Sequence, residues 1–551
     1  VLERFVSDRE ALLRRYRVEY SPDRRAALRG FYSAWLTRLQ GTQFDALSEE
    51  GKIDYLLLQN RLRYEQQRLA REEKALAEIA PLIPFADTIM RLEESRRQMA
   101  GIDPAATARM MARLAEQVDR VRESVEAGAR ADAANGGLRP TKIVAHRAAA
   151  TIGELQRTMQ GWYRFYDGYD PLFTWWVSAP YKKADSSLTR LAKVLREQVV
   201  GVKPGEDEPI IGLPIGRESI MEDLAVEMIP YPPEELITIA RRDLAWSMGE
   251  MKRAAREMGF GDDWKAALEK VKTSYVEPGK QPALIRDLAL EATDYVQRHD
   301  LVTVPPLARD VWRMEMLTPE QQKVSPFFLG GEVILVSFPT DAMAEDDKLM
   351  SLRGNNRHFA RATVFHELIP GHHLQGFMTQ RYFPYRRAYG TPFWLEGNAF
   401  YWETLLWDLG FTHTPEDRVG ALFWRMHRSA RIIFSLGFHL GQMTPQQAID
   451  FLVDSIGHER ANATAEVRRS FNGSYPPLYQ VAYMLGGLQF RALHHELVDS
   501  GKMTNRQFHD AILQGGNMPV ELVRARLTKQ RLTRDYKPQW KFAEQLPPAK
   551  R

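Results

Sequence analysis

DPAATARMMARLAEQVDRVRESVEAG, residues 103–128, reads as one amphipathic helix and sets the class of the whole chain. Asp103 is placed to cap and Pro104 to occupy the first helical position, where a missing N–H costs nothing. Met111, Leu114, Val118, Val121 and Val125 then recur at spacings of 3, 4, 3 and 4, the signature of a single apolar helix face. Gly128 ends the run, and the small residues from Ala129 to Gly137 read as a loop. Upstream, Ser7 followed by Glu10 has the spacing of a capping box for an opening helix.

Outward from this segment the pattern stays helical. Val202–Gly216 (VKPGEDEPIIGLPIG) and Val276–Ala283 (VEPGKQPA) are too rich in Pro and Gly to be elements, so they read as connections. Between them, Pro233-Glu234-Glu235 opens a helix carrying Ile239, Leu244 and Met248. Strand signal is confined to Val333-Ile334-Leu335-Val336-Ser337-Phe338, bounded by Gly330-Gly331 and Pro339. The two glycines would let an extended substrate backbone approach that strand closely. The expected fold is mainly α (α+β), a large helical protein with a small β-sheet beside the active-site helix. It is read as a helical N-terminal region, 1–200, and a catalytic region, 201–551, continuous with the first or separate from it.

Composition narrows the function. The 551 residues are 44% hydrophobic and 26% charged, as in ordinary globular proteins. A net charge of +4 from 75 basic and 71 acidic residues is small for a nucleic-acid binder, so no nucleic-acid partner is expected. No apolar run of about 18 residues occurs, so no membrane span is expected. There is no Cys, which removes disulfides, thiolate metal sites and cysteine nucleophiles. Any metal must sit on His, Asp or Glu. The absence of Cys and of an initiating Met slightly favours an exported, periplasmic protein over a cytoplasmic one.

Four of the 13 His fall between His358 and His373. The segment Ala362–Gln375, ATVFHELIPGHHLQ, begins like the H-E-x-x-H zinc helix, in which two His one turn apart share a face. Here Pro370 occupies the second position. On a straight helix His372 lies about 240° round from His366, and His373 about 340° round but roughly 10 Å further along the axis. Neither can share one zinc with His366 unless the helix deforms. Pro370 has no N–H and clashes with the carbonyl of residue 366, and Gly371 tolerates unusual backbone angles. A two-residue bulge at Pro370-Gly371 returns His372 to the ligand position; His373 remains the competing ligand, or a donor behind the site. Glu367, beside a ligand but not on the metal, is the natural general base.

Residues 394–403, WLEGNAFYWE, are similar to the helix of aminopeptidase N-type enzymes that carries a zinc-binding Glu. Glu396 matches that Glu, and Gly397 and Ala399 its neighbours. Together, HELIPGHHLQ, this Glu-Gly-x-Ala segment and Tyr479–Gly486 (YQVAYMLG) resemble bacterial domain-of-unknown-function family 885, over most of the chain. Asn398 stands where that family's pattern has Trp. The resemblance implies a helical, zinc-metallopeptidase-like protein with one Zn2+ on His366, His372 and Glu396. Glu403, about two turns further along, competes with Glu396 or orients a ligand. By analogy with zinc peptidases, Tyr483 donates to the oxyanion, with Tyr475 and Tyr479 as alternatives. Arg353, Arg468 and Arg469 are either solvated or one of them holds a peptide carboxylate. Trp175, Trp176, Trp394 and Trp402 read as core.

The expected function is a zinc-dependent metallopeptidase acting on peptides through a metal-activated water. Two alternatives keep the same residues: a hydrolase of non-peptide amides or small molecules, and an inactive helical binding or scaffold protein.

Overall fold

The computed structural model describes residues 1–130, 136–203, 209–322, 330–473 and 475–546. They form a mainly helical protein with one two-stranded parallel sheet. The chain folds as two compact units, one of residues 1–42 and 62–211, the other of residues 43–61 and 212–551. No helix among the described residues is long and apolar enough to cross a membrane.

In the first unit the helix Pro104–Ala129 forms as its pattern requires. The Asp103 side chain accepts from the Ala106 N–H, and Met111, Leu114, Val118, Val121 and Val125 are all buried. Gly128 lies in the last turn rather than beyond it, and its missing side chain makes room for Leu138, whose carbonyl oxygen a Cβ would meet at 2.2 Å. Of the loop read at 129–137, residues 131–135 lie outside the described residues, as do 204–208 of the connection at 202–216. Two expectations fail. Ser7 caps nothing: the first helix is Leu2–Arg15, and Ser7 sits inside it. Trp175 and Trp176 are 81% and 49% exposed, on the outer face of Pro171–Val194. The apolar face of that helix is met instead by Phe173, Val177, Leu188 and Leu191.

The second unit holds the sheet and the His- and Glu-bearing motifs. Strand β1 (Arg313–Met316) pairs in parallel with β2 (Val333–Val336), Arg313 opposite Val333. Alternation puts Ile334 and Val336 on the buried face, where they pack with Ala360, Val364 and Leu368. The sheet therefore backs the helix Arg357–Glu367, and Gly330-Gly331 brings the chain against its last residue. A Cβ on Gly330 would lie 2.2 Å from the Glu367 carboxylate, and the Gly331 N–H donates to the Glu367 carbonyl at 3.2 Å. These glycines let the chain lie against Glu367, and both line the cleft beside it.

Helices Pro392–Asp408 and Tyr479–His494 cross at their glycines. A Cβ on Gly397 would stand 2.4 Å from Gly486 Cα, and one on Gly486 would stand 2.2 Å from the Phe393 carbonyl oxygen. This explains Gly in both motifs: the backbones must touch to bring Glu396 and Tyr479 together. Gly486→Ala forces them apart and is expected to cost about 1–3 kcal/mol of stability, the usual penalty for overpacking. Chemical denaturation measures it; an unchanged midpoint would mean the crossing is looser than described.

Candidate metal centre

Helix Arg357–Glu367 is capped by the Asn356 side chain, which accepts from the His358 and Phe359 N–H groups, and it ends one residue past His366. A second helix, His372–Thr379, starts five residues later. In a continuous helix the Phe365 carbonyl would accept from Ile369; here it accepts from the Gly371 N–H at 2.9 Å. The register thus skips two residues, as the spacing argument requires, but as a break between two helices and not as a bulge within one. Gly371 serves by its missing side chain and not by an unusual φ. Its φ is −82°, and a Cβ would fall 1.8 Å from the His366 carbonyl oxygen. Only glycine lets the second helix start this close to the first.

The break brings the two imidazoles together at right angles, ring centroids 4.8 Å apart. Glu396 reaches them from Pro392–Asp408: its Oε2 is 3.5 Å from His366 Nε2 and 3.2 Å from His372 Nε2. The three candidate ligand atoms all lie within 4.8 Å of one another, and His366 and Glu396 are buried.

Partners behind the ligands decide what these atoms are. His366 Nδ1 is 2.7 Å from Glu403 Oε1, so it donates its proton there and leaves Nε2 with a lone pair. His372 Nδ1 is 3.1 Å from Gln375 Oε1. The Gln375 amide is oriented in turn, since its NH2 donates to the Leu395 carbonyl at 3.0 Å and to Asn398 Oδ1 at 3.1 Å. Its oxygen is therefore the atom left for His372, whose Nε2 also keeps a lone pair. Glu396 Oε1 accepts from the Tyr479 hydroxyl, while Oε2 is buried and has no hydrogen-bond donor among the described residues. Three acceptors thus converge on one point, an arrangement that calls for a cation. Two neutral imidazoles and a carboxylate fit Zn2+, and the backing partners are of the kind that orient zinc ligands.

The same carboxylates favour positive charge on the imidazoles, which a proton supplies where a metal ion does not. Burial alone would lower the His366 pKa, but Glu396 and Glu403 outweigh it and push it up to about 9. His372 is raised against burial by Glu396. Burial opposes ionisation of Glu396, yet His372 and His366 hold its carboxyl well below the ordinary range. Positive charge is wanted here, whichever cation supplies it. Burial raises Glu367, with His366 and His372 opposing.

A cleft of about 370 Å³ opens beside this point, lined by Glu367, His372, Glu396 and Tyr483 among others. Glu367 therefore faces the cleft next to the triad without belonging to it. The Tyr483 ring lies nearly parallel to His366, centroids 6.0 Å apart, and Tyr475 also lines the cleft. Tyr479 is committed to Glu396.

The remaining candidates divide between the cleft and other places. His373 is buried with Nε2 2.6 Å from the Ala308 carbonyl oxygen, so it fastens residue 308 and is neither a ligand nor a donor at the cleft. Arg353 is paired with Glu269 and Glu459, whereas Arg469 lines the cleft. Trp394 and Trp402 are core, in keeping with the sequence. Sequence reasoning missed Gln375 and Asn398 as orienting groups, and it missed Arg428 and Arg431, which also line the cleft.

Glu403 backs His366 and does not reach the convergence point in place of Glu396. Glu403→Gln is accordingly expected to weaken zinc binding about 10–100-fold, and Glu396→Gln by more, because it removes a direct bond. Competition with a zinc chelator ranks the two; the reverse order would make Glu403 the ligand.

The sequence profile of a family described as "Bacterial protein of unknown function (DUF885)" matches residues 13–527. Two solved structures share the fold. One is a protein of unknown function from Shewanella oneidensis, provisionally classed as a lipoprotein, with a TM-score of 0.69, 17% identity, and coverage of 96% of this chain and 98% of its own. The other, classed the same way, is from Colwellia psychrerythraea, with a TM-score of 0.60, 16% identity, and coverage of 93% and 91%. No curated protein matches the chain.

Proposed function

We propose that this chain, which belongs to the bacterial DUF885 family, is a zinc-dependent hydrolase of amide bonds, and specifically a metallopeptidase. The observation that carries the reading is the convergence of three acceptors, two of them imidazoles with fixed tautomers, beside a cleft that a further carboxyl, that of Glu367, faces. A structural cluster needs no such carboxyl.

His366, His372 and Glu396 would hold one Zn2+, which supplies Lewis acidity, polarising a carbonyl and drawing the pKa of a water towards 7. Glu367 takes the proton of the attacking water on its carboxylate and returns it to the departing amine nitrogen. The Tyr483 phenol, whose pKa burial raises, stays protonated and donates to the oxygen that gains charge at the tetrahedral carbon. Glu403, Gln375 and Asn398 hold the imidazoles in the tautomers this requires. An extracytoplasmic location, expected from composition, draws support from the two structurally similar proteins classed as lipoproteins.

A cleavage screen of zinc-loaded protein against short peptides, acyl-amino acids and non-peptide amides tests the reading. Peptide turnover that a chelator abolishes is the expected result. Turnover confined to non-peptide amides moves the substrate class, and no turnover by a zinc-loaded protein leaves a binding protein.

A further inference from the structure

We infer that the part of the cleft lined by Arg431, with Arg428 beside it, is a carboxylate-binding subsite, and that it takes the free C-terminal carboxylate of a peptide. The inference rests on the peptidase reading for its substrate and on the following geometry for the subsite.

Helix Pro415–His439 is buried along almost all its length, yet it carries Arg428 and Arg431 one turn apart, 5% and 3% exposed. Both line the cleft, as does Arg469. Two carboxylates face these three guanidiniums from behind. Glu466 is shared, 2.7 Å from Arg431 Nε and 3.1 Å from Arg469 Nε. Glu403 lies 3.6 Å from Arg428 but already accepts from His366. The cleft's other carboxylates, Glu367 and Glu396, belong to the proposed reaction centre. The count leaves cationic capacity over. It is localised too: among the described residues, Arg431 Nη1 and Arg428 Nε are buried and have no hydrogen-bond partner. A buried guanidinium N–H with no acceptor is costly, and a carboxylate is the acceptor whose geometry matches it best.

Tyr483 fixes the spacing. Its ring is 4.5 Å from Arg428 Cζ, 4.6 Å from Arg431 Cζ and 6.0 Å from the His366 ring. Arg431 and the metal centre thus adjoin the same ring, so a carboxylate seated on Arg431 lies within a few peptide units, about 3.5 Å each, of a carbonyl at the metal centre. The bond cleaved is then one near the C-terminus of the peptide, so the enzyme acts as a carboxypeptidase.

Three acetylated tetrapeptides separate the possibilities: tetra-alanine as the free acid, tetra-alanine as its C-terminal amide, and an amidated peptide ending in aspartate. Their binding is measured by calorimetry on zinc-loaded Glu367→Gln, and their cleavage on wild-type protein. The free acid is expected to bind about 10–100-fold more tightly than its amide, the range for hydrogen bonds to a charged partner. Arg431→Lys, which keeps a cation facing Glu466 but loses the second nitrogen, should erase most of that preference while retaining zinc. Equal binding of acid and amide overturns the inference, and equal cleavage of both does so while leaving the peptidase reading intact. A preference in binding without cleavage of any peptide supports the subsite and removes the peptidase reading instead. If the aspartyl amide binds as tightly as the free acid, the subsite reads a side chain and the exopeptidase assignment fails. The acid-to-amide comparison needs no change at Arg431, so a misfolded variant does not rescue the inference.

Discussion

Glu367→Gln is expected to keep its zinc and its fold while turnover falls by roughly 10²–10⁴-fold, the span attributed to general acid–base catalysis. The amide is nearly isosteric with the carboxyl, and the space around it is tight. The chain at Gly330 approaches so closely that a Cβ would not fit against the Glu367 carboxylate. A Gln side chain occupies the same volume and loses only the ability to accept a proton as an anion. The three converging acceptors are untouched, because Glu367 is not among them. Steady-state kinetics and zinc stoichiometry on one preparation check both halves. Normal rates would remove Glu367 from the chemistry; loss of zinc would make it a ligand and reopen the role of Glu396.

His366→Ala and His372→Ala should each abolish stoichiometric zinc binding, whereas His373→Ala should retain it. The first two remove direct bonds from a three-ligand centre. The third removes only a hydrogen bond to the Ala308 carbonyl, so its expected effect is on stability. Losing a buried hydrogen bond of this kind costs about 0.5–3 kcal/mol, depending on whether the carbonyl finds another donor. Chelator competition and thermal unfolding of the three variants separate the cases. Zinc loss in His373→Ala with retention in His372→Ala would reverse the ligand assignment. Zinc should also stabilise the wild type and not His366→Ala, by about 2.7 kcal/mol at a hundredfold excess over Kd.

Much of this site is legible in the sequence, and the parts that are not have physical reasons. Although the sequence leaves His373 in competition, pairing His366 with His372 is legible in Pro370-Gly371, since a straight helix cannot place them together. How the chain accomplishes it depends on the backbone contact between Gly371 and His366, which no periodicity encodes. Glu396 comes from a resemblance and not from spacing, because it arrives on a different helix. Gln375 and Asn398 are ordinary polar residues until two helices meet and their amides lock. Arg428 and Arg431 carry a weak signal, two of several charges on a helix that also holds Arg418 and Arg425, and such charges ordinarily face solvent. Trp175 and Trp176 mislead in the opposite sense: large aromatic residues are usually core, and here they lie on the surface. The helices themselves are legible where a cap and a regular apolar face coincide, as at Asp103. They are not where Ser7 mimics a cap inside a helix that begins earlier.

The central claim is that one zinc ion sits where three acceptors converge. Anomalous diffraction on either side of the zinc absorption edge, from crystals of zinc-loaded protein, tests it most directly. The account predicts a single strong peak about 2.0–2.2 Å from His366 Nε2, His372 Nε2 and a Glu396 oxygen, with Glu367 beside it and unbonded. A peak at other residues, or none at this point in crystals of protein that binds zinc stoichiometrically, would contradict it.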